Sequence, residues 1–232
     1  MHPLDTREYN FPSEVCVFPL AGSLLFPDAV QALYVFEGRY LEMVEECLKS
    51  PDKLIAMAVL KPGFDTDYYD RPEVFETACL GQIMNYKKLP NGHIHMAVKG
   101  LEEIRLKEEV ELENSFRTFT VEESFFGLDL EASQEVSLRA EIYELLRKFF
   151  EIAAQGQASP EEVCDELDFL ALVNNLSFIL PFSIENKLKL FQVNRLSQRT
   201  FLLQTYLEQA LVRQNKDPQS ASKPSVDPSM LN

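Results

Sequence analysis

Short apolar runs separated by turn residues dominate the first 125 residues, and this pattern is typical of β-strands. The clearest run, Leu54–Leu60, is closed by Lys61-Pro62-Gly63 and is too short for an isolated helix. Asn91-Gly92 separates two other runs and predicts a hairpin, because both residues tolerate a positive φ. The remaining strands are predicted within residues 15–18, 32–36, 80–86, 93–98, 104–107 and 116–121.

Helical periodicity appears once inside this region and then throughout the second half of the chain. Over residues 39–49 apolar side chains recur every three or four positions, and Ser50-Pro51 ends the pattern. Ser159-Pro160-Glu161-Glu162 has the form of a capping box, and Ser183 is placed to cap a shorter helix. The last helix is expected to carry Phe201 on its apolar face. The C-terminal helices are predicted over about residues 134–154, 159–179, 184–192 and 196–213.

These two patterns divide the chain into parts with different structures. Residues 1–125 are predicted to form a β-rich subdomain that contains one inserted helix, and residues 126–214 a helical bundle. Residues 215–232 are rich in proline and serine and have little to bury, so they are predicted to be a disordered tail. The expected fold class is α+β.

Charge and composition restrict the possible partners. The 232 residues include 22 Lys and Arg against 37 Asp and Glu, which gives a net charge of −15 at pH 7. Such a surface repels nucleic-acid phosphates and anionic lipids. We find no apolar segment of a secretory signal and no run as long as a membrane span. The four scattered cysteines indicate buried, reduced thiols, so a cytoplasmic location is expected.

The sequence contains no recognisable enzyme chemistry. Motifs of phosphate-binding loops, zinc peptidases and serine hydrolases are absent from it. His93 and His95 alternate on a predicted strand without a third donor at ligand spacing, and we interpret them as a solvated strand face. We therefore expect no catalytic residue, no metal site and no cofactor.

A cluster of motifs between residues 18 and 43 is the most distinctive part of the sequence. It reads Phe18-Pro19-Leu20, Leu25-Phe26-Pro27, Leu33-Tyr34-Val35-Phe36-Glu37, Arg39-Tyr40 and Met43. This cluster resembles the opening of the Lon protease N-terminal (substrate-binding) domain family. The resemblance continues through residues 54–63, 81–83, 89–92, 100–105 and 180–183, and it covers about residues 12–213.

The resemblance implies a β-rich, PUA-like pseudobarrel with one inserted helix, followed by a C-terminal helical bundle. It also implies a non-catalytic module that captures unfolded or tagged polypeptides for a separate protease or chaperone. The ATPase and Ser-Lys peptidase modules of the full-length protease have no room in this chain, so no enzyme activity is expected. Ala32 and Glu103 replace the proline and arginine that are usual in the family, which argues against transferring details of surface recognition.

We interpret the motif residues mainly as structural. Glu37 lies at the entrance of the first helix, where a carboxylate favours the exposed N–H groups. Arg39 is placed to bond a carboxylate or loop carbonyls and so to fix the turn from strand to helix. Phe18, Phe26 and Phe36 are expected in the core.

The loop over residues 63–71 is the predicted contact surface for polypeptides. Phe64, Tyr68 and Tyr69 lie among polar and acidic residues, which gives them little local reason to be buried. Exposed aromatic side chains commonly serve recognition.

Other functions remain open at this stage. PUA-like barrels often contact RNA, and residues 169–216 are locally basic, although the overall charge disfavours nucleic acid. The chain could also be an accessory subunit of a separate ATP-dependent protease, or a peptidase that works without ATP. The sequence offers no nucleophile and base for the last alternative.

Overall fold

The structure is a computed structural model, and it describes residues 8–63, 71–111, 113–153 and 167–216. The chain divides into two compact units, Met1–Ser124 and Phe125–Asn232, which are considered separately below. The predicted aromatic loop, the predicted capping box and the predicted tail from residue 217 onward lie outside the described residues.

Strands dominate the first unit, which we call the barrel unit. Its elements are β1 (Glu14–Leu20), β2 (Val30–Val35), α1 (Gly38–Cys47), β3 (Leu54–Leu60), β4 (Val74–Lys88), β5 (Ile94–Val110) and β6 (Arg117–Glu123). The β1–β3 pair is parallel and the other pairs are antiparallel. The predicted strands and the inserted helix are therefore present, with one correction: the runs predicted at 93–98 and 104–107 are parts of the single strand β5, which starts at Ile94.

The long strand β5 closes the sheet into a barrel. The strand order is β2-β5-β4-β3-β1-β6, and β5 also pairs with β6. Strands β5, β4, β3, β1 and β6 thus form a ring, and β2 lies beside the first half of β5 as an added strand. A ring of this kind has no free edge of its own. Its interior is filled by Val15, Val17, Ala56, Ala58, Leu60, Val74, Ala78, Leu80, Ile104, Leu106, Phe119 and Val121.

Two glycines fix the geometry of β5. Gly92 has φ +83° in the turn before the strand, where its N–H bonds the Leu89 carbonyl. Asn91 keeps a negative φ, so this is a three-residue hairpin loop with glycine in the left-handed position. At Gly100 a Cβ atom would lie only 2.0 Å from the Phe26 carbonyl oxygen. The chain before β2 can cross β5 at this point only because residue 100 has no side chain.

The second unit is helical, and its elements are α2 (Ala132–Ala153), α3 (Phe169–Ile179), α4 (Ile184–Gln192) and α5 (Leu196–Lys216). Ser183 caps α4 by accepting a bond from the Asn186 N–H, as predicted. The predicted helix over 159–179 is confirmed over residues 169–179, but it is wrong at residues 167–168, because Asp168 caps a helix that starts at Phe169. The helix α5 also extends two residues past the predicted start of the tail.

A buried arginine links the helices of this unit. Arg199 of α5 is fully buried, and its guanidinium donates to the carbonyls of Leu190, Phe191 and Val193 at the C-terminal end of α4. It also donates to the Asn174 side chain of α3. The last carbonyls of a helix have no partner inside that helix, so Arg199 acts as a cap supplied by another element.

The α+β fold class is confirmed: a β-rich barrel with one inserted helix is followed along the chain by helices. Among the described residues, no helix combines the length and the hydropathy that crossing a bilayer requires.

Candidate functional site

The motif residues converge on the turn between β2 and α1. The backbone carbonyl of Glu37 accepts the first bonds of the helix, from the N–H groups of Tyr40 and Leu41. The Glu37 carboxylate binds the guanidinium of Arg39, with 3.0 Å between Oε2 and Nη2. Arg39 also lies over the Tyr40 ring, 4.7 Å from its centroid. These contacts agree with a role in fixing the turn, which stays a prediction.

The other motif residues divide between core and surface. Phe18 and Phe26 are buried, and the Phe18 ring stacks on Tyr40 with 4.7 Å between centroids. Pro19 and Leu20 end β1, and Pro27 is half-buried in the following connection. Phe36 was expected in the core, and this prediction is wrong: its side chain is 57% exposed. The reason is its position at the end of β2, beyond the last residue that pairs with β5.

Phe36 is part of an exposed aromatic cluster at one end of the barrel unit. The Tyr34 ring lies 6.1 Å from Phe36, 5.3 Å from His93 and 4.8 Å from His95, measured between centroids. The Tyr34 hydroxyl shares a hydrogen bond with Nδ1 of His93. We call Tyr34, Phe36, His93 and His95 the aromatic surface. Tyr34 is 45% exposed, so a large area of this cluster contacts solvent.

The sheet around the aromatic surface has a consistent outer face. The register places Tyr34 opposite His95, Ala32 opposite Ala97 and Val30 opposite Lys99. On the other side of β5, Lys87 lies opposite His95 and Asn85 opposite Ala97. The outer face therefore consists of Val30, Ala32, Tyr34, His95, Ala97, Lys99, Asn85 and Lys87. It contains no acidic residue, although the whole protein has a net charge of −15.

One ion pair, between β4 and α1, borders this surface. Lys88, the last residue of β4, donates to the Glu45 carboxylate of α1 with 2.6 Å between Nζ and Oε1. This hydrogen bond and the accompanying charge interaction raise the pKa of Lys88 and lower the pKa of Glu45. The charged side chains of the outer face are thus Lys87, which lies opposite His95, and Lys99.

Sequence reasoning missed the aromatic surface. Phe64, Tyr68 and Tyr69, which it selected instead, lie outside the described residues. It interpreted residues 32–36 as a short apolar strand with Phe36 in the core, whereas Val30, Ala32, Tyr34 and Phe36 share the outward face at a period of two. That alternation was the available signal.

Other places in the described part of the chain offer less chemistry. Within residues 8–63, 71–111, 113–153 and 167–216, no three His, Cys, Asp or Glu residues are grouped so that they could hold a metal ion. Phe201, which was expected on the apolar face of α5, is instead 67% exposed. It lines a shallow groove of the helical unit with Val193, Ser197, Gln198 and Leu202.

A closed five-stranded ring with an added strand, followed along the chain by helices, defines the α+β class of this protein. Comparison with known proteins identifies the family within that class. The chain belongs to the family of the ATP-dependent protease La (LON) substrate-binding domain, whose model matches residues 14–209.

Relatives of known sequence are similar to this chain over part of their length. Lon protease of Brevibacillus choshinensis is 23% identical over 198 residues, which are 84% of this chain and 24% of that protein. Lon protease 2 of Thermus thermophilus is 22% identical over 93% of this chain and 27% of that protein. The chain therefore spans about a quarter of the length of the curated relatives that it matches.

Two solved structures share the fold. The N-terminal domain of Mycobacterium avium complex Lon protease has a TM-score of 0.62 at 13% identity, and the match covers 84% of this chain and 98% of that one. A Lon N-terminal domain protein from Xanthomonas campestris has a TM-score of 0.59 at 19% identity, with 84% and 99% covered. At these identities the likeness concerns the fold alone.

Proposed function

We propose that this chain is a non-catalytic module that captures unfolded or tagged polypeptides in the cytoplasm and that the aromatic surface makes the contact. The family is described as a substrate-binding domain, which supports a role in binding protein substrates. The single observation that carries the location is the exposed aromatic cluster of Tyr34, Phe36 and two histidines on a face without acidic residues.

Physical chemistry favours apolar capture at this surface. Unfolded chains expose the apolar and aromatic side chains that folded proteins bury, so an exposed aromatic cluster discriminates between the two states. Aromatic residues are enriched among the few residues that carry most of an interface's binding energy. Burial of apolar surface is little affected by salt, whereas binding to nucleic-acid phosphates weakens steeply as salt rises.

The experiment compares one double variant and one single control variant in binding to reduced, alkylated α-lactalbumin, a permanently unfolded probe. We expect Tyr34→Ser with Phe36→Ser to weaken binding by about tenfold or more, since two aromatic anchors together contribute about 2 kcal/mol. Phe201→Ser is the matched control, because this phenylalanine is also exposed but lies in the helical unit. Equal effects of both variants would contradict the proposed site.

The RNA alternative is tested with the same protein. Single-stranded RNA that binds more tightly than unfolded α-lactalbumin, and loses affinity as salt rises, would overturn the proposed function. Retained α-lactalbumin binding at high salt supports it.

The aromatic loop is proposed as a second contact region. Replacing Phe64, Tyr68 and Tyr69 together with serine should weaken α-lactalbumin binding without changing the melting temperature. Unchanged affinity would reject the loop and leave the aromatic surface as the proposed site.

The proposal also excludes catalysis by this chain. We expect neither ATP hydrolysis nor casein cleavage above a buffer blank, in a preparation free of host protease. A separate protease or chaperone would receive the captured polypeptide, and activity of the purified chain in either assay would contradict this part.

A further inference from the structure

The added strand β2 has one edge that the described part of the chain does not cover. Among the described residues β2 pairs with β5 alone, and it ends the strand order of the sheet. In an antiparallel pair the N–H and C=O groups of alternate residues point to opposite sides. Every second residue of β2 therefore directs its backbone donor and acceptor away from β5.

Within the described part of the chain, this edge lacks the protection that natural edge strands usually have. Proteins normally guard an edge with lysine, proline, a bulge or a very short strand. The six residues of β2 are Val-Gln-Ala-Leu-Tyr-Val, without charge or proline, and all of them pair with β5 in regular register. Val30 and Tyr34 are 47% and 45% exposed, so the side chains beside the edge are apolar and accessible.

The backbone groups of β2 that face away from β5, together with the local charge, specify an occupant. A row of free N–H and C=O groups at strand spacing is satisfied by another extended backbone, which adds to the sheet as a further strand. The outer face of β2 and of its neighbour β5 includes Lys99 and no acidic residue. The charge therefore favours a segment that is uncharged or acidic. β-Branched and aromatic residues at alternate positions would continue the outer face.

We propose that β2 is a strand-addition site, at which an extended segment of the captured polypeptide pairs with the edge that faces away from β5. This inference rests on the proposed function and specifies how the polypeptide is held. Main-chain hydrogen bonds supply affinity that does not depend on sequence, and the aromatic surface selects alternate side chains. A site of this kind accepts many unfolded sequences and rejects folded ones, whose backbones are already paired.

The test uses the unaltered protein and a ten-residue peptide that alternates Val or Tyr with Thr or Asp. A series of peptides carries one backbone N-methyl group each, which removes a single main-chain donor. We expect methylation at every second position to weaken binding tenfold or more, with intervening positions changed less than twofold. Amide hydrogen exchange locates the peptide: alternate amides of β2 should exchange at least tenfold more slowly in the complex.

The outcomes separate this inference from the proposed function. If the unmethylated peptide binds but methylation shows no period of two, or β2 exchange is unchanged, strand addition at β2 is overturned and polypeptide capture stands. If the peptide fails to bind and unfolded α-lactalbumin binds, strand addition at β2 is overturned and the proposed function stands. If neither ligand binds, the proposed function fails, and the inference fails with it.

Discussion

Replacing Arg199 with methionine removes the hydrogen bonds of its guanidinium while keeping much of the side-chain volume. In the native protein the Nε atom lies 2.9 Å from the Leu190 carbonyl, and Nη1 lies 2.8 Å from the Asn174 side-chain oxygen. Nη2 contacts the carbonyls of Phe191 and Val193, each at 3.2 Å. The substitution removes the donor from these oxygens, and those of Leu190, Phe191 and Asn174 belong to fully buried residues.

The magnitude follows from the acceptors that lose their partner. A buried acceptor left without a hydrogen bond costs about 1–3 kcal/mol. Three buried oxygens near the lower end of this range, with the part-buried Val193 carbonyl adding less, give about 4 kcal/mol. Removing one member of a buried charged contact typically costs about 3–5 kcal/mol. The guanidinium also lies over the Phe126 ring, 4.3 Å from its centroid. We therefore expect Arg199→Met to lower the free energy of unfolding by about 4 kcal/mol.

Urea unfolding followed by circular dichroism at 222 nm measures this change, because that signal comes mainly from helices. Arg213→Met is the matched control, since Arg213 is exposed on the same helix and should change stability by less than about 0.5 kcal/mol. Arg199→Lys keeps the charge but not the planar set of donors, and it should recover less than half of the loss. A loss below 1 kcal/mol for Arg199→Met would refute the capping role.

Three further perturbations test local features. Gly100→Ala should destabilise the barrel unit by about 3 kcal/mol, because the added Cβ meets the Phe26 backbone. Gly38→Ala is the control, because a Cβ at residue 38 has no atom within 4 Å. Equal urea midpoints for the two variants would contradict this prediction. Ser183→Ala should lower the free energy of unfolding by about 1 kcal/mol, because the N-cap of α4 is lost. An unchanged melting temperature would argue against the cap. Burial lowers the pKa of Lys187 to about 8, so between pH 8 and 10.5 the unfolded chain binds more protons than the folded one. The stability of the native protein relative to Lys187→Met should therefore rise across that window, and a flat difference would refute the burial argument.

Features encoded by neighbouring residues could be predicted from the sequence. The run Leu54–Leu60 is a strand with those bounds, and Ser183 caps the helix Ile184–Gln192. The hairpin at Asn91-Gly92 was also predicted, although only Gly92 has a positive φ. In each case a capping residue, a turn residue or a strand-ending proline lies within a few residues of the feature that it determines.

Features decided by distant pairing could not be predicted in this way. An apolar run such as Leu33–Phe36 looks the same whether a strand is covered on both faces or forms an edge, and only pairing with β5 decides between them. The break before α3 was missed because apolar periodicity continues across Asp168, whose carboxylate caps the helix through the Ala171 N–H. The aromatic surface depends on the register that brings Tyr34 beside His95, which no local pattern encodes.

The closure of the barrel determines how it can be connected to other proteins. Strand β1 begins at Glu14, which pairs with Thr120 near the end of β6. Residues opposite each other in an antiparallel pair lie about 5 Å apart, so the ring's chain ends leave it side by side. A module with adjacent ends can be inserted into a surface loop of a host protein without stretching that loop. For the same reason, a short linker between β6 and β1 would allow new termini at the Asn91-Gly92 turn while every strand pair of the ring is kept.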